Sequence, residues 1–299
     1  RYILEHQQEP IRKKEAIRIL EGIPEDKTFD NFVVGRCNEF AQTFSLMVAN
    51  SLGQEYSNPL YIYGSTGLGK THLLYAIGNH AAQQNKDLQI IYTTTEAFFN
   101  DWRFHLQNNK MTAFREKYRD NCQLLLMDDI QFLKGKLGTQ GEVFHIFEYL
   151  KNHGHQLIFT SDLLPKDIDN LEPRLRTRFG SGVLADMHPP DLETMLAIIH
   201  KKAEEKNILI PNDVAIYIAQ GVQGNIREVE GAINRLKALA SFNKAPINLK
   251  FAKTHLGSVL YEEQVKELDS DTILKAVSTF FGLNISDLKG KRRTNNLTK

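Results

Sequence analysis

Apolar residues in the first two-thirds of the chain come in two spacings. Short runs, Leu60 to Tyr63, Leu88 to Tyr92, Gln123 to Met127, Gln156 to Phe159 and Val183-Leu184, predict strands. Leu124 to Met127 are consecutively apolar, as in a strand of a parallel sheet covered on both faces. Between the runs lie stretches of helical spacing. One spans about Asn38 to Ser51, with Phe40, Phe44, Met47 and Val48 on one face. Others are Thr71 to Ala82, Glu96 to Tyr118 and Glu142 to Lys151. In the third of these four, Phe98, Phe99, Trp102 and Leu106 make a stripe that predicts core packing. Asn108-Asn109-Lys110 interrupts it, so two helices are expected there. The alternation predicts an α/β fold with a parallel sheet between helices.

Beyond Pro189-Pro190 the pattern changes. From Asp191 to Leu256 the spacing is helical throughout. Leu192, Met195, Leu196, Ile199 and Ala203 form one stripe, and Val214 to Ile218 belong to another. Asn225-Ile226-Arg227-Glu228 predicts a capping box, with Ile226, Val229, Ile233, Leu236 and Ala240 as the buried face of its helix. A further amphipathic helix is expected over Thr272 to Phe281, followed by the basic run Lys289-Gly290-Lys291-Arg292-Arg293. Such a run suits a phosphate backbone or a solvated tail. The expected division is 1–23 as a linker, 24–188 as a nucleotide-type α/β domain, 189–258 as a helical lid, and 259–299 as a linker helix with the start of a third domain.

Composition narrows this little. The 299 residues carry a net charge of +1, 41% hydrophobic content and 24% charged residues, which suits a soluble globular chain and favours no partner. Cys37 and Cys122 are far apart and have no metal-like spacing, so neither a disulfide scaffold nor structural zinc is expected and a reducing, cytoplasmic setting fits. No apolar run approaches spanning length, and Arg1-Tyr2-Ile3-Leu4-Glu5 is not a signal peptide. The initial arginine implies preceding residues or trimming.

The chemistry concentrates after the first run. Gly64-Ser65-Thr66-Gly67-Leu68-Gly69-Lys70-Thr71 fits G-x-x-x-x-G-K-[ST] between a strand and a helix. The glycines let backbone N–H groups turn inward around an anion, and the helix N-terminus adds partial positive charge. Lys70 can then reach the β- and γ-phosphates, and Thr71 can offer its hydroxyl to Mg²⁺. Asp128-Asp129 ends the most apolar strand, where ligands bind in open α/β sheets, and fits a Walker B pattern: one acid for Mg²⁺, one beside the attacking water. Thr160-Ser161-Asp162 ends the next strand with polar groups. The box Thr28 to Gly35 offers aromatics and valines that suit either an adenine pocket or core packing. Arg174, Arg176 and Arg178 fall within five residues and could complete a neighbour's site or form a solvated face. Arg227 is a cation in the first turn of a helix, against the macrodipole, which suggests a phosphate contact.

Taken with the Thr28–Gly35 box, Gly64 to Asn79, Leu126 to Leu133, Thr160 to Asp162, Arg174 to Phe179, Asn225 to Arg235 and Ile285 to Arg293, the chain resembles the DnaA family of bacterial chromosomal replication initiators, which are AAA+ ATPases. The resemblance runs in order from about Phe29 to Arg293. It implies an AAA+ αβα sandwich, a helical lid and the start of a helical DNA-binding domain. It implies that Val34, Gly35, Gly67, Leu68, Gly69, Lys70, Thr71 and His72 hold ATP or ADP, with Thr71 and Asp128 serving Mg²⁺. Asp129 would orient water, Asp162 would be sensor 1, and Arg178 the arginine finger acting on a neighbour's ATP with support from Arg174. Arg227 would be sensor 2, and Lys291, Arg292 and Arg293 the basic loop on DNA. The stretch Glu96 to Tyr118 would be the wedge that favours an open helical oligomer.

The implied activity is slow, switch-like ATP hydrolysis: the ATP form assembles on origin DNA, double- and single-stranded, and helps open it. A replicative helicase or its loader is an implied partner, and contact with acidic phospholipid is compatible with it. Three departures qualify the resemblance. Ser65-Thr66 replaces the usual Gly-Val, which backbone binding tolerates. Gly138 stands where the family carries an arginine that touches single-stranded DNA. The helix-turn-helix that reads duplex sequence would lie beyond Lys299, so this stretch alone is not expected to read origin boxes. The alternatives are a helicase loader or regulatory homologue, the latter disfavoured by residues 271–293, and, in a different class, a metabolic P-loop kinase with no need for Arg178 in trans. A purely structural protein fits least.

Overall fold

The computed structural model describes residues 22–222, 224–266, 270–281 and 285. The expected linker up to position 21 and the basic run Lys291, Arg292 and Arg293 lie outside the described residues. The chain divides into two compact units at Thr194/Met195.

The first unit holds five parallel strands: β1 (Leu60–Tyr63), β2 (Ile90–Thr94), β3 (Leu124–Asp128), β4 (Gln156–Ser161) and β5 (Val183–Asp186). Their order across the sheet is β2-β3-β4-β1-β5. Parallel strands need crossovers, and helices supply them. These are α1 (Glu39–Asn50) before β1, α2 (Lys70–Gln84), α3 (Thr95–Gln107), α4 (Met111–Arg115) with a π-helical turn at Glu116–Asp120, α5 (Leu137–Asn152) and α6 (Pro173–Phe179).

Strand alternation divides the core into two layers. Leu125, Met127, Leu157, Phe159 and Tyr61 face one side with Phe98, Phe114, Tyr118, Phe147 and Phe179. Leu124, Leu126, Ile158, Leu60 and Ile62 face the other with Leu73, Leu74, Ile77 and Val48. Both faces are dry, which is why the runs read as continuous rather than alternating.

Several boundaries differ from expectation for identifiable reasons. β2 begins two residues later than Leu88, because its register is set by β3, with Ile90 opposite Leu124 and Thr94 opposite Asp128. β4 continues through Thr160-Ser161, both buried, because β1 pairs with it to the end. α5 begins at Leu137 rather than Glu142 despite Gly138 and Gly141. Tertiary hydrogen bonds hold that first turn: Gln140 Nε2 donates to the Leu133 and Asn170 carbonyls, and Gln140 Oε1 accepts from Glu172 N–H. The helical stripe in α3 is only partly core. Phe98 is fully buried, but Leu106 is 49% exposed. Phe40 of α1 is likewise exposed and packs its ring on Phe44 at 4.5 Å.

The α3–α4 segment is pinned to itself. Asp101 accepts from Lys117 Nζ at 2.7 Å and from the Tyr118 hydroxyl at 2.9 Å, and its other oxygen lies 3.0 Å from His105 Nδ1. Glu142 on α5, almost fully buried, ties the same segment down through Arg115 and Arg119.

The second unit is helical. α7 (Leu192–Glu205) leads into it, followed by α8 (Asn212–Gly221), α9 (Ile226–Asn243), α10 (Leu249–Lys266) and α11 (Ser270–Phe281). Its core gathers Met195, Ile199, Ala203, Val214, Ile218, Val229, Ile233, Leu236 and Leu256. Leu192, expected in that stripe, is exposed. α10 runs without a break through position 258. Lys202, buried, pairs with Glu205 at 3.0 Å and Glu230 at 3.1 Å, joining α7 to α9.

Candidate nucleotide site

The loop between β1 and α2 takes its shape from glycines. Gly64, Gly67 and Gly69 all have positive φ, and Gly69 sits in the left-handed region as the N-cap of α2. At Gly64 a second reason excludes a side chain: a Cβ there would lie 2.2 Å from the Met187 carbonyl oxygen. Gly64→Ala is therefore expected to cost about 2 kcal/mol of stability, from backbone strain plus the displaced carbonyl. Chemical denaturation measures it, and a cost below about 0.5 kcal/mol would show that the loop seats independently of β5.

Lys70 opens α2 and is only 6% exposed. Its ammonium donates to the Gly64 carbonyl at 2.7 Å, the Ser65 carbonyl at 2.9 Å and Asp162 Oδ1 at 2.7 Å. One residue on, the Thr71 hydroxyl donates to Asp128 Oδ2 at 2.8 Å. The other Asp128 oxygen accepts from the Thr160 hydroxyl, whose oxygen in turn accepts from the Asp129 N–H at 3.0 Å. Asp128 is almost fully buried. Burial pushes its carboxyl above the usual carboxylate range and the Asp129 charge adds to that, while the hydrogen bonds from Thr160 and Thr71 and the Lys70 charge pull it back.

Asp129 stands in the left-handed region, φ 59°, at the start of a 3-10 turn over Ile130–Leu133. That turn carries Gln131 back over the strand ends. The sheet order explains the convergence. The loop follows β1, Asp128 ends β3, and Asp162 follows β4, three neighbouring strands whose carboxyl ends face the same way.

The Thr28–Gly35 box lies against the loop. The Thr28 carbonyl is 2.8 Å from His72 Nε2, and the Phe32 ring stands edge-on to His72 at 5.3 Å. Asn38 closes the box, accepting from Gly35 N–H and donating to the Val33 carbonyl. A Cβ at Gly35 would meet Thr194 Oγ1 at 2.3 Å, and Val34 remains 47% exposed. His188 N–H donates to the Cys37 carbonyl at 2.9 Å, so the end of β5 forms the box's other side.

Thus Lys70, Thr71, Asp128 and Asp162 meet at one point with Asp129 beside them, and the loop residues Gly67, Leu68 and Gly69 surround it. Arg178 on α6 is elsewhere engaged, with Nε and Nη2 along one edge of its guanidinium on the two Glu148 oxygens of α5 at 2.7 and 3.2 Å. Arg174 pairs with Glu172 and lies over the Phe144 ring at 4.4 Å. Arg227 stands exposed in the first turn of α9, in the second unit. There the box is a variant of the expected one. Asn225 Oδ1 accepts from Arg227 N–H, but Glu228 accepts from the Asn225 side chain. Gln131 and Glu148 are participants that residue spacing alone did not single out, and Thr160, noted only as a polar strand end, proves to hold Asp128.

A Mg²⁺ ion suits a hydroxyl and a carboxylate at this spacing, since it keeps water and phosphate oxygens as its other ligands. Among the described residues no cluster of His, Cys, Asp and Glu forms an all-protein metal cage. No helix among them is long and apolar enough to cross a membrane.

Comparison with known proteins agrees with this geometry. A family profile described as the bacterial DnaA ATPase domain matches residues 23–186. Domain III of the Thermotoga maritima replication initiation protein DnaA is 41% identical, with a TM-score of 0.77 over 79% of this chain and 98% of that one. A replication initiator DnaA bound to AMPPCP and single-stranded DNA is 33% identical, with a TM-score of 0.70 over 91% of this chain and 79% of that one. AMPPCP-bound DnaA from Aquifex aeolicus is 32% identical, with a TM-score of 0.71 over 93% and 80%. With the phosphate loop, the paired acids and the strand order β2-β3-β4-β1-β5 in place, the chain belongs to the bacterial DnaA family of replication initiators and carries its AAA+ ATPase domain.

Proposed function

We propose that this chain binds ATP at the Lys70 loop and uses the nucleotide's γ-phosphate to license assembly on origin DNA in the cytoplasm. The observation that carries the reading is the convergence of Lys70, Thr71, Asp128 and Asp162 at the carboxyl ends of adjacent strands. The loop N–H groups and Lys70 take the phosphates, and Val34, Gly35 and His72 belong to the wall beside them. Thr71 and Asp128 would hold Mg²⁺, which when bound neutralises phosphate charge. Asp129 orients the attacking water. By the family resemblance, Arg227 would serve the nucleotide as sensor 2, and Arg178, supported by Arg174, would complete the site of the next subunit. The resulting oligomer is helical. Its engagement of single-stranded DNA is supported by the relative bound to AMPPCP and single-stranded DNA. Lys291, Arg292 and Arg293 contact duplex backbone, and a replicative helicase or its loader follows. Hydrolysis to ADP removes the γ-phosphate and dismantles the assembly.

Trans action makes a direct prediction. Arg178→Ala and Lys70→Ala chains, each inactive alone, should regain ATP hydrolysis when mixed, because mixed interfaces pair an intact loop with an intact finger. Recovery of about a quarter of the parent rate is expected from random pairing, measured as phosphate release. Mixtures as inactive as their components would remove the trans finger from the reading.

A further inference from the structure

We infer that Gln131 is a positioning residue for ATP hydrolysis, aiming the Asp129 carboxylate and coupling it to the lysine that holds the phosphates. The inference rests on the reading of Asp129 as the group that orients water.

The geometry is specific to one carboxamide. Gln131 Nε2 donates to Asp129 Oδ1 at 3.1 Å and to Asp162 Oδ2 at 3.3 Å, and Gln131 Oε1 accepts from the Asp162 N–H at 3.3 Å. The backbone N–H fixes which end of the amide is oxygen, since only an acceptor can face it. The amide's NH₂ is thereby committed to the two carboxylates. Two acids brought together at strand ends would otherwise repel, and this donor lies between them.

Asp162 uses its other oxygen for Lys70 at 2.7 Å. The result is a continuous line, Lys70 to Asp162 to Gln131 to Asp129, running from the phosphate loop to the end of β3. The backbone supports it at the far end too, because the Asp129 N–H is held by Thr160. With the main chain of Asp129 fixed and in the left-handed region, its side chain retains rotamer freedom that Gln131 removes. A carboxylate that must hold a water in line with the γ-phosphorus gains most from losing that freedom. When Lys70 turns to an arriving phosphate, Asp162 loses its cation and Gln131 becomes its remaining side-chain donor, so occupancy of the loop is transmitted to the aim of Asp129.

The test uses the chain with Gln131→Leu, Asp129→Asn and both together. Gln131→Leu keeps the volume and removes all three hydrogen bonds. It should lower kcat about 30-fold while leaving the dissociation constant for a fluorescent ATP analogue within about threefold. Its thermal midpoint should stay within about 3 °C of the parent. Asp129→Asn should lower kcat more than about 100-fold, and the double variant should match Asp129→Asn within about threefold, because Gln131 acts only through that carboxylate. A residue with a merely structural role would shift nucleotide binding and the midpoint, and its effect would multiply in the double variant. Gln131→Leu hydrolysing within threefold of the parent, or multiplying with Asp129→Asn, overturns the inference. Asp129→Asn retaining full kcat overturns instead the reading on which it stands. If Gln131→Leu fails to fold, Gln131→Met, which keeps the length of the side chain and removes the hydrogen bonds without adding charge, takes its place with the same outcomes.

Discussion

Replacing Lys70 with alanine is expected to lower kcat/KM for ATP by at least about 100-fold, or about 2.7 kcal/mol of transition-state stabilisation. The ammonium is buried and held by two loop carbonyls and Asp162, so it stands where the phosphates arrive and exchanges Asp162 for them. Alanine removes that charge and has a second consequence. Asp162 then faces the phosphates with no cation beside it, adding repulsion to lost attraction. The measurement is steady-state phosphate release against ATP concentration. A loss smaller than about tenfold would place the phosphates away from this loop.

The second large effect has two opposite parts. Asp128→Asn should lower ATP hydrolysis by more than about 100-fold, since it removes the carboxylate proposed for Mg²⁺. The same change should stabilise the nucleotide-free fold by about 1 kcal/mol. Asp128 is a buried carboxyl held above its ordinary range chiefly by desolvation. An amide keeps an oxygen for the Thr160 hydroxyl and removes the buried charge. The gain should also depend on pH in a defined direction. With the folded-state pKa raised above its unfolded value of about 3.9, the native state binds more protons between the two, and stability falls as pH rises through that window. The asparagine variant has no such loss. Its advantage should therefore open as pH rises through the raised value and close in acid. Thermal unfolding across pH measures this, and an advantage that grew toward low pH would contradict the burial argument.

How much of this was legible in the residues follows from the range of each interaction. The phosphate loop is a short-range object, since eight consecutive residues set the turn and the helix start. β3 announced itself because four apolar residues in a row are needed to face two dry layers. Asp128 and Asp162 were visible because acids stood at strand ends. Gln131 was not visible in that way, although it lies only two residues past Asp129. Its meaning depends on β3 and β4 lying side by side, with Met127 opposite Phe159, which brings position 131 to position 162. Thr160 was visible as a polar strand end, but its bond to Asp128 depends on the same neighbouring strands. Glu148 as the partner of Arg178 depends on how α5 and α6 pack, which no spacing encodes. Propensity also misled at α5, where two glycines delayed the expected start and three tertiary hydrogen bonds of Gln140 overruled them.

The knot at Asp101 has a mechanical consequence. The Asp101 carboxylate holds Lys117 and the Tyr118 hydroxyl and its main-chain carbonyl lies 2.8 Å from His105 Nδ1, while Glu142 clamps the same segment to α5 and Phe98, Phe114 and Tyr118 root it in the sheet's core. Bridged across its turn at Asn108-Asn109-Lys110, such a segment resists bending more than an unbridged helical hairpin would. A push against α3 would be delivered as torque to β2 and β3, and so to the strand that ends in Asp128. Linked in this way, the α3–α4 segment would act on the nucleotide sheet as a stiff arm.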